Sequence, residues 1–204
     1  VLTAALLALG LTGPAFCTDH SIAPADSLDR LYDRGRGYPE FLDATKARRE
    51  TWLDNTRDAT VEAALLARAR AIPGPYRLLV VAEDWCGDSA NTIPYIARLV
   101  DSLPQLSLRI VNSRDGRFVM ERYRTPDGRA ATPTVVLLDG AGEPVGCFVE
   151  RPAALREALT NRNKPREDII AEWRRADSGR STVGEIVTML EAAAAGTGRC
   201  VTGS

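Results

Sequence analysis

The chain has 204 residues, 45% of them hydrophobic and 26% charged, with a formal net charge of −1. That length suits one domain with extensions and a sizeable core, and the composition is that of an ordinary globular protein. The balance of charge offers no basic footprint for nucleic acid or for an anionic membrane. Of the 26 basic residues only Lys46 and Lys164 are lysines, an arginine bias rather than a binding patch, since acids are interspersed throughout. Cys17, Cys86, Cys147 and Cys200 lie too far apart for zinc-site spacing or a dense disulfide framework. The single histidine, His20, sits in a Pro- and Asp-rich stretch, which argues against a Cys–His or Ser–His catalytic pair.

Val1 to Phe16 is apolar and shorter than the roughly 20 residues a membrane span needs, so no stable span is expected. Two readings stay open. Residues 1–17 or 1–25 form a secretory signal, which places the protein in the periplasm or outside the cell; or they are a misassigned start, which leaves it in the cytoplasm. Residues 18–39 read as a mostly irregular lead-in. A helix is expected from Pro39 to about Asn55 with Phe41, Leu42, Trp52 and Leu53 as its apolar positions, and a second from Val61 to Ile72.

The unit 76–162 alternates. Leu78 to Ala82 is a continuous apolar run, as expected of a strand covered on both faces. Asp88 to Asp101 carries a helical stripe, Leu106 to Val111 a second strand, and Arg117 to Arg124 a short helix. Thr134 to Leu138 and Val145 to Val149 form a hairpin across Gly140-Ala141-Gly142, and Pro152 to Leu159 returns to helix. This order implies an α/β domain with a parallel sheet whose last strand is antiparallel. Residues 163–196 add two helices, the second opened by a Thr182–Glu185 capping box, and 197–204 reads as a flexible tail. Trp173 is expected to anchor these helices on the core. Arg174, Asp177, Arg180 and Glu185 are expected to form a solvated charge cluster.

The chemistry concentrates in Trp85-Cys86-Gly87-Asp88-Ser89. A cysteine where a buried strand turns into a helix meets unpaired N–H groups that favour its thiolate. Ser89 stands where a second cysteine would close an internal disulfide.

Together with Pro94 and with Thr132-Pro133 just before a strand, this run makes residues 77–162 resemble the thioredoxin-like superfamily. The resemblance implies a thioredoxin fold, a four-stranded mixed sheet flanked by helices, here with helical N- and C-terminal extensions. It implies Cys86 as nucleophile, Pro94 as a helix-kinking residue and a cis-Pro133 opposite the sulfur. Thr132 and Pro133 would be the shelf for an extended peptide or glutathione, with Trp85 and Gly87 flanking it. The sequence departs from that family at three places. Ser89 replaces the resolving cysteine; its hydroxyl is expected to hydrogen-bond the thiolate, but it cannot expel a bound partner. Val80 stands where the family keeps a buried carboxylate, leaving Glu83 and Asp84 as the nearest acid–base candidates. Asp88 either caps the helix or opposes the neighbouring thiolate.

These readings imply a monothiol thiol–disulfide oxidoreductase working on protein or glutathione thiols and disulfides. Neither a metal nor a tightly held cofactor is implied; glutathione is a candidate co-substrate. The alternative is a redox-inactive peptide-binding or chaperone-like module. Cys147 is expected to fill a small buried apolar site, and the tail carrying Cys200 has the length to reach Cys86.

Overall fold

The computed structural model describes residues 25–160 and 163–200. The signal-like segment, Cys17 and His20 lie outside the described residues. Strands β1 (Tyr76–Val81), β2 (Leu106–Val111), β3 (Thr134–Leu138) and β4 (Pro144–Val149) form one sheet in the order β2-β1-β3-β4. β1 pairs in parallel with β2, whereas β3 is antiparallel to both β1 and β4. The strand that opposes the rest is therefore β3, and the expectation that the last strand would do so is corrected. The order of elements along a chain does not encode direction, and the helix between β2 and β3 is too short to serve as a full crossover.

Two apolar layers sandwich the sheet. Leu78, Val80, Val135, Leu137 and Phe148 point to one face and pack with Trp52, Ile96, Leu99, Ile186 and Leu190. Those partners come from α3 (Arg49–Asp58), α6 (Ile93–Asp101) and α10 (Arg180–Ala194). Leu79, Val81, Val136 and Leu138 point to the other face, toward Leu28, Leu31 and Tyr32 of α1 (Ala25–Arg34) and Val119 of α7 (Arg117–Arg122). Leu78 through Val81 are completely buried, which is why their run shows no alternation. Each such side chain contributes about 1.5–3 kcal/mol. Helix α1 replaces the irregular lead-in expected over 18–39; its Leu28, Leu31 and Tyr32 carry the helical spacing.

Two helices are split, and both breaks shape the site. The helix expected over 39–55 is α2 (Tyr38–Ala44) followed by α3, and the one expected over 61–72 is α4 (Ala63–Arg70). Asp84, in the loop after β1, accepts the N–H groups of Lys46 and Ala47 at 2.9 and 3.0 Å and holds the chain out of helix between α2 and α3. Arg48 then enters α3 from left-handed backbone, φ 50°. The helix expected over 88–101 is α5 (Gly87–Ala90) and α6. Pro94 has no N–H to give the Ala90 carbonyl, which instead accepts from Asn55 Nδ2 at 2.7 Å.

After α8 (Ala153–Ala158) the C-terminal extension supplies α9 (Arg166–Asp177) and α10. Gly179, φ 77°, starts α10 three residues before Thr182; a Cβ there would lie 2.1 Å from the Tyr95 ring. The expected capping box is therefore absent. Thr182 is buried inside the helix, the Asp177 carboxylate accepts from the Ser181 N–H, and Glu185 accepts from Ala153 N–H. Trp173 is half-buried rather than a core anchor. Among the described residues no helix is long and apolar enough to cross a membrane, and no His, Cys, Asp and Glu side chains gather as metal ligands.

Candidate active site

The site grows from the C-terminal end of β1. Buried apolar residues carry the chain to Ala82, and the loop 83–86 then delivers Cys86 to the N-cap of α5 with extended backbone, φ −77° and ψ 117°. The half-buried sulfur has two backbone partners. It accepts from the Ser89 N–H at 3.4 Å, and its thiol donates to the Thr132 carbonyl at 3.3 Å. The Thr132–Pro133 peptide is cis. Trp85, beside the sulfur, is 59% exposed although it is a large hydrophobe.

Ser89 differs from expectation in one respect. Its residue is completely buried, yet its hydroxyl has no hydrogen-bond partner; the amide, not the side chain, reaches the sulfur. A buried unpaired hydroxyl costs about 1–3 kcal/mol.

Glu83 and Asp84 are both engaged structurally. Glu83 accepts from the Ser113 N–H at 2.7 Å and from its hydroxyl at 2.6 Å, tying the loop after β2 to the loop after β1. Asp84 organises the start of α3 through its carboxylate, and its backbone carbonyl accepts from Trp52 Nε1 at 2.9 Å. Neither carboxylate has a hydrogen bond to the sulfur.

Asp88 does not act as a side-chain cap. Its carboxylate takes a two-point ion pair from Arg151, at 3.1 and 2.5 Å, and a third contact from Arg174 at 3.2 Å. Arg151 continues to Glu150 at 3.0 Å, and Glu150 to Arg129 at 3.0 Å. The Glu150 N–H donates to the Pro133 carbonyl at 2.7 Å. One ionic chain thus links α9, the motif helix, the end of β4 and the loop before Pro133. Burial lowers the Arg174 guanidinium from its usual range, against the pull of Asp88. Arg48, from its strained position, donates to the Trp85 carbonyl at 2.7 Å. A cleft of about 290 Å³ opens here, lined by Arg48, Gly87, Asp88, Arg151, Ala171 and Arg174.

The structure therefore brings Trp85, Cys86, Gly87, Asp88, Ser89, Thr132 and Pro133 together. Arg48, Glu150 and Arg151 escape sequence reasoning because their partners lie far off in the chain; left-handed backbone at an arginine has no sequence signature. Arg174, expected in a solvated cluster, belongs to the site. Asp177, Arg180 and Glu185 are engaged elsewhere, Arg180 with Glu62 at 2.8 Å. Cys200 does not extend toward Cys86; it packs beside Cys147 among the side chains on the α1 face of the sheet.

A family model described as thioredoxin matches residues 35–166, well over half of the chain. The chain belongs to the thioredoxin family. The match covers the whole sheet and stops at the start of α9, so the contact that Arg174 makes with Gly87 and Asp88 comes from outside the matched region. No curated protein matches the chain. Two solved structures share the fold. One is a protein of unknown function from Pseudomonas aeruginosa, 24% identical, with a TM-score of 0.67 over 81% of this chain and 97% of that one. The other is an HIV epitope-scaffold, 23% identical, with a TM-score of 0.67 over 80% of this chain and 97% of its own.

Proposed function

We propose that this thioredoxin-family protein is a monothiol thiol–disulfide oxidoreductase with Cys86 as nucleophile. The Cys86 thiolate attacks one sulfur of a protein or glutathione disulfide. The old S–S bond breaks, and the leaving sulfur departs with the electron pair and takes a proton. With Ser89 in place of a second thiol, the mixed disulfide stands until an outside thiol, from glutathione or a protein, attacks it. Thr132 and Pro133 form the shelf along which an extended substrate backbone or glutathione would lie. Trp85 covers one flank of that shelf. Glu83 and Asp84 hold the loop geometry around the site.

The observation that carries this reading is a half-buried sulfur held by the Ser89 amide and the Thr132 carbonyl beside an exposed tryptophan. The test is Ser89→Cys. The variant is expected to gain dithiothreitol-driven reduction of insulin disulfides at least tenfold over the natural chain, because the added thiol can release the bound partner. A variant that folds, reacts with no disulfide at Cys86 and still binds extended peptides would instead establish the redox-inactive binding module.

A further inference from the structure

Cys147 and Cys200 lie far apart in the sequence and at different ends of the C-terminal architecture, yet the fold makes them neighbours. α10 packs against β4 on the Trp52 face of the sheet, through Val187, Leu190 and Met189. The chain then leaves the helix, with the Thr197 N–H bonded to the Ala192 carbonyl at 2.9 Å, and passes over the outer edge of β4. Gly198 marks the crossing: a Cβ there would sit 2.4 Å from the Val145 carbonyl oxygen and 2.9 Å from Ala193 Cα. Only a residue without a side chain fits this approach. Two residues beyond Gly198 comes Cys200, and two beyond Val145 comes Cys147. Both pack into the same apolar cluster on the opposite face, with Val136, Val149 and Tyr123. Residues 197–200, the described part of the expected flexible tail, are thus folded around the open edge of the sheet.

We infer that Cys147 and Cys200 form a second redox site, separate from Cys86, whose disulfide clasps the C-terminal segment around β4. The oxidant is a small disulfide such as oxidised glutathione. One cysteine, as its thiolate, attacks a glutathione sulfur, forming a protein–glutathione disulfide and releasing one glutathione thiol. The second cysteine, losing its proton, attacks the protein sulfur and releases the other glutathione. Two protein thiols are oxidised and one glutathione disulfide is reduced to two thiols, so electrons and protons balance.

The surroundings set the pace. The hydrogen bond with Cys147, and then burial, push the Cys200 thiol well above its ordinary range, with Arg122 pulling weakly the other way. Tyr123, from the same end of α7, is itself pushed up to about 12 by burial, and its buried hydroxyl has no partner. A thiol held toward its protonated form is a poor nucleophile, so attack through Cys200 is slower than an encounter at an accessible thiol.

The test uses the full chain and its Cys200→Ser variant, incubated with oxidised glutathione and digested without reduction. The expected result is a peptide pair joined through Cys147 and Cys200. The oxidised natural chain should also unfold at a higher temperature than the reduced one, a difference absent in Cys200→Ser. Two free, alkylatable thiols after prolonged incubation would overturn the inference. So would separate glutathione adducts on each cysteine, or a link from either to Cys17 or Cys86. The presence or absence of a glutathione adduct on Cys86 in the same digest bears on that residue's own reading and leaves this one untouched.

Discussion

At the end of β1 a sulfur meets an amide, a carbonyl and a chain of charged groups; on the α1 face of β4 two sulfurs meet each other among hydrocarbon side chains. Both places hold cysteines that are neither wholly buried nor wholly exposed. What differs is what surrounds them. The first has backbone groups and an exposed tryptophan beside it, the setting we propose for an encounter with another molecule. The second has a partner thiol already alongside and a chain segment to be held, the setting for an internal bond. Residue type alone separates neither role from the other.

The comparison breaks most visibly if the charged network is removed. Asp88→Ala leaves Arg151 and Arg174 without their shared carboxylate at side chains only 12% and 34% exposed. The expected cost is about 3 kcal/mol, as for other buried pairs deprived of one member, read as a lower denaturant midpoint. An equal stability for the variant would mean that the network is solvated and does not fix the motif helix. Substitution in the Cys147 cluster has no such charge to orphan.

A smaller effect of the opposite sign is expected at Ser89. Ser89→Ala removes a buried hydroxyl that has no partner and should stabilise the protein by about 1 kcal/mol. Because the amide rather than the hydroxyl reaches the sulfur, the rate of Cys86 alkylation should stay within about twofold of the natural chain, well under the tenfold that 1.4 kcal/mol would give. A large fall in that rate would restore a direct role for the hydroxyl.

The smallest effect concerns Glu185, whose carboxyl is raised above its ordinary 4.5 by burial. A raised folded-state value favours the protonated form, so its contribution is fully present below about pH 4.5 and is lost as pH rises through the folded value. Glu185→Gln keeps the acceptor for the Ala153 N–H without the charge. Its stability relative to the natural chain should therefore be higher at pH 7, and the gap should close as pH falls below 4.5. A gap that widens in acid would contradict the assignment.

Much of the fold is legible in the sequence because its causes are local. The Leu78–Val81 run announces a strand buried on both sides, and the β3–β4 hairpin is bounded by its glycines. Trp85-Cys86, Pro94 and Thr132-Pro133 identify the family by their spacing along such elements. What stays hidden depends on distant parts of the chain. Asp84 splits a helix that its own periodicity would continue, and Gly179 shifts the start of α10 because the Tyr95 ring lies beneath it. Asp88 finds Arg151 and Arg174 only after the sheet and α9 have formed. Helix α1 is the exception, since Leu28, Leu31 and Tyr32 carried the signal in plain spacing.

The central claim is that Cys86 reacts with disulfides and has no thiol of its own to release what it captures. Its most direct test is to mix the reduced chain with oxidised glutathione, dilute, and follow the Cys86 peptide by mass spectrometry before and after adding an outside thiol. The account predicts one glutathione on Cys86 that persists through dilution and leaves only when the thiol arrives. A Cys86 that stays unmodified, or an adduct that departs unaided as an internal disulfide forms at that residue, would contradict it.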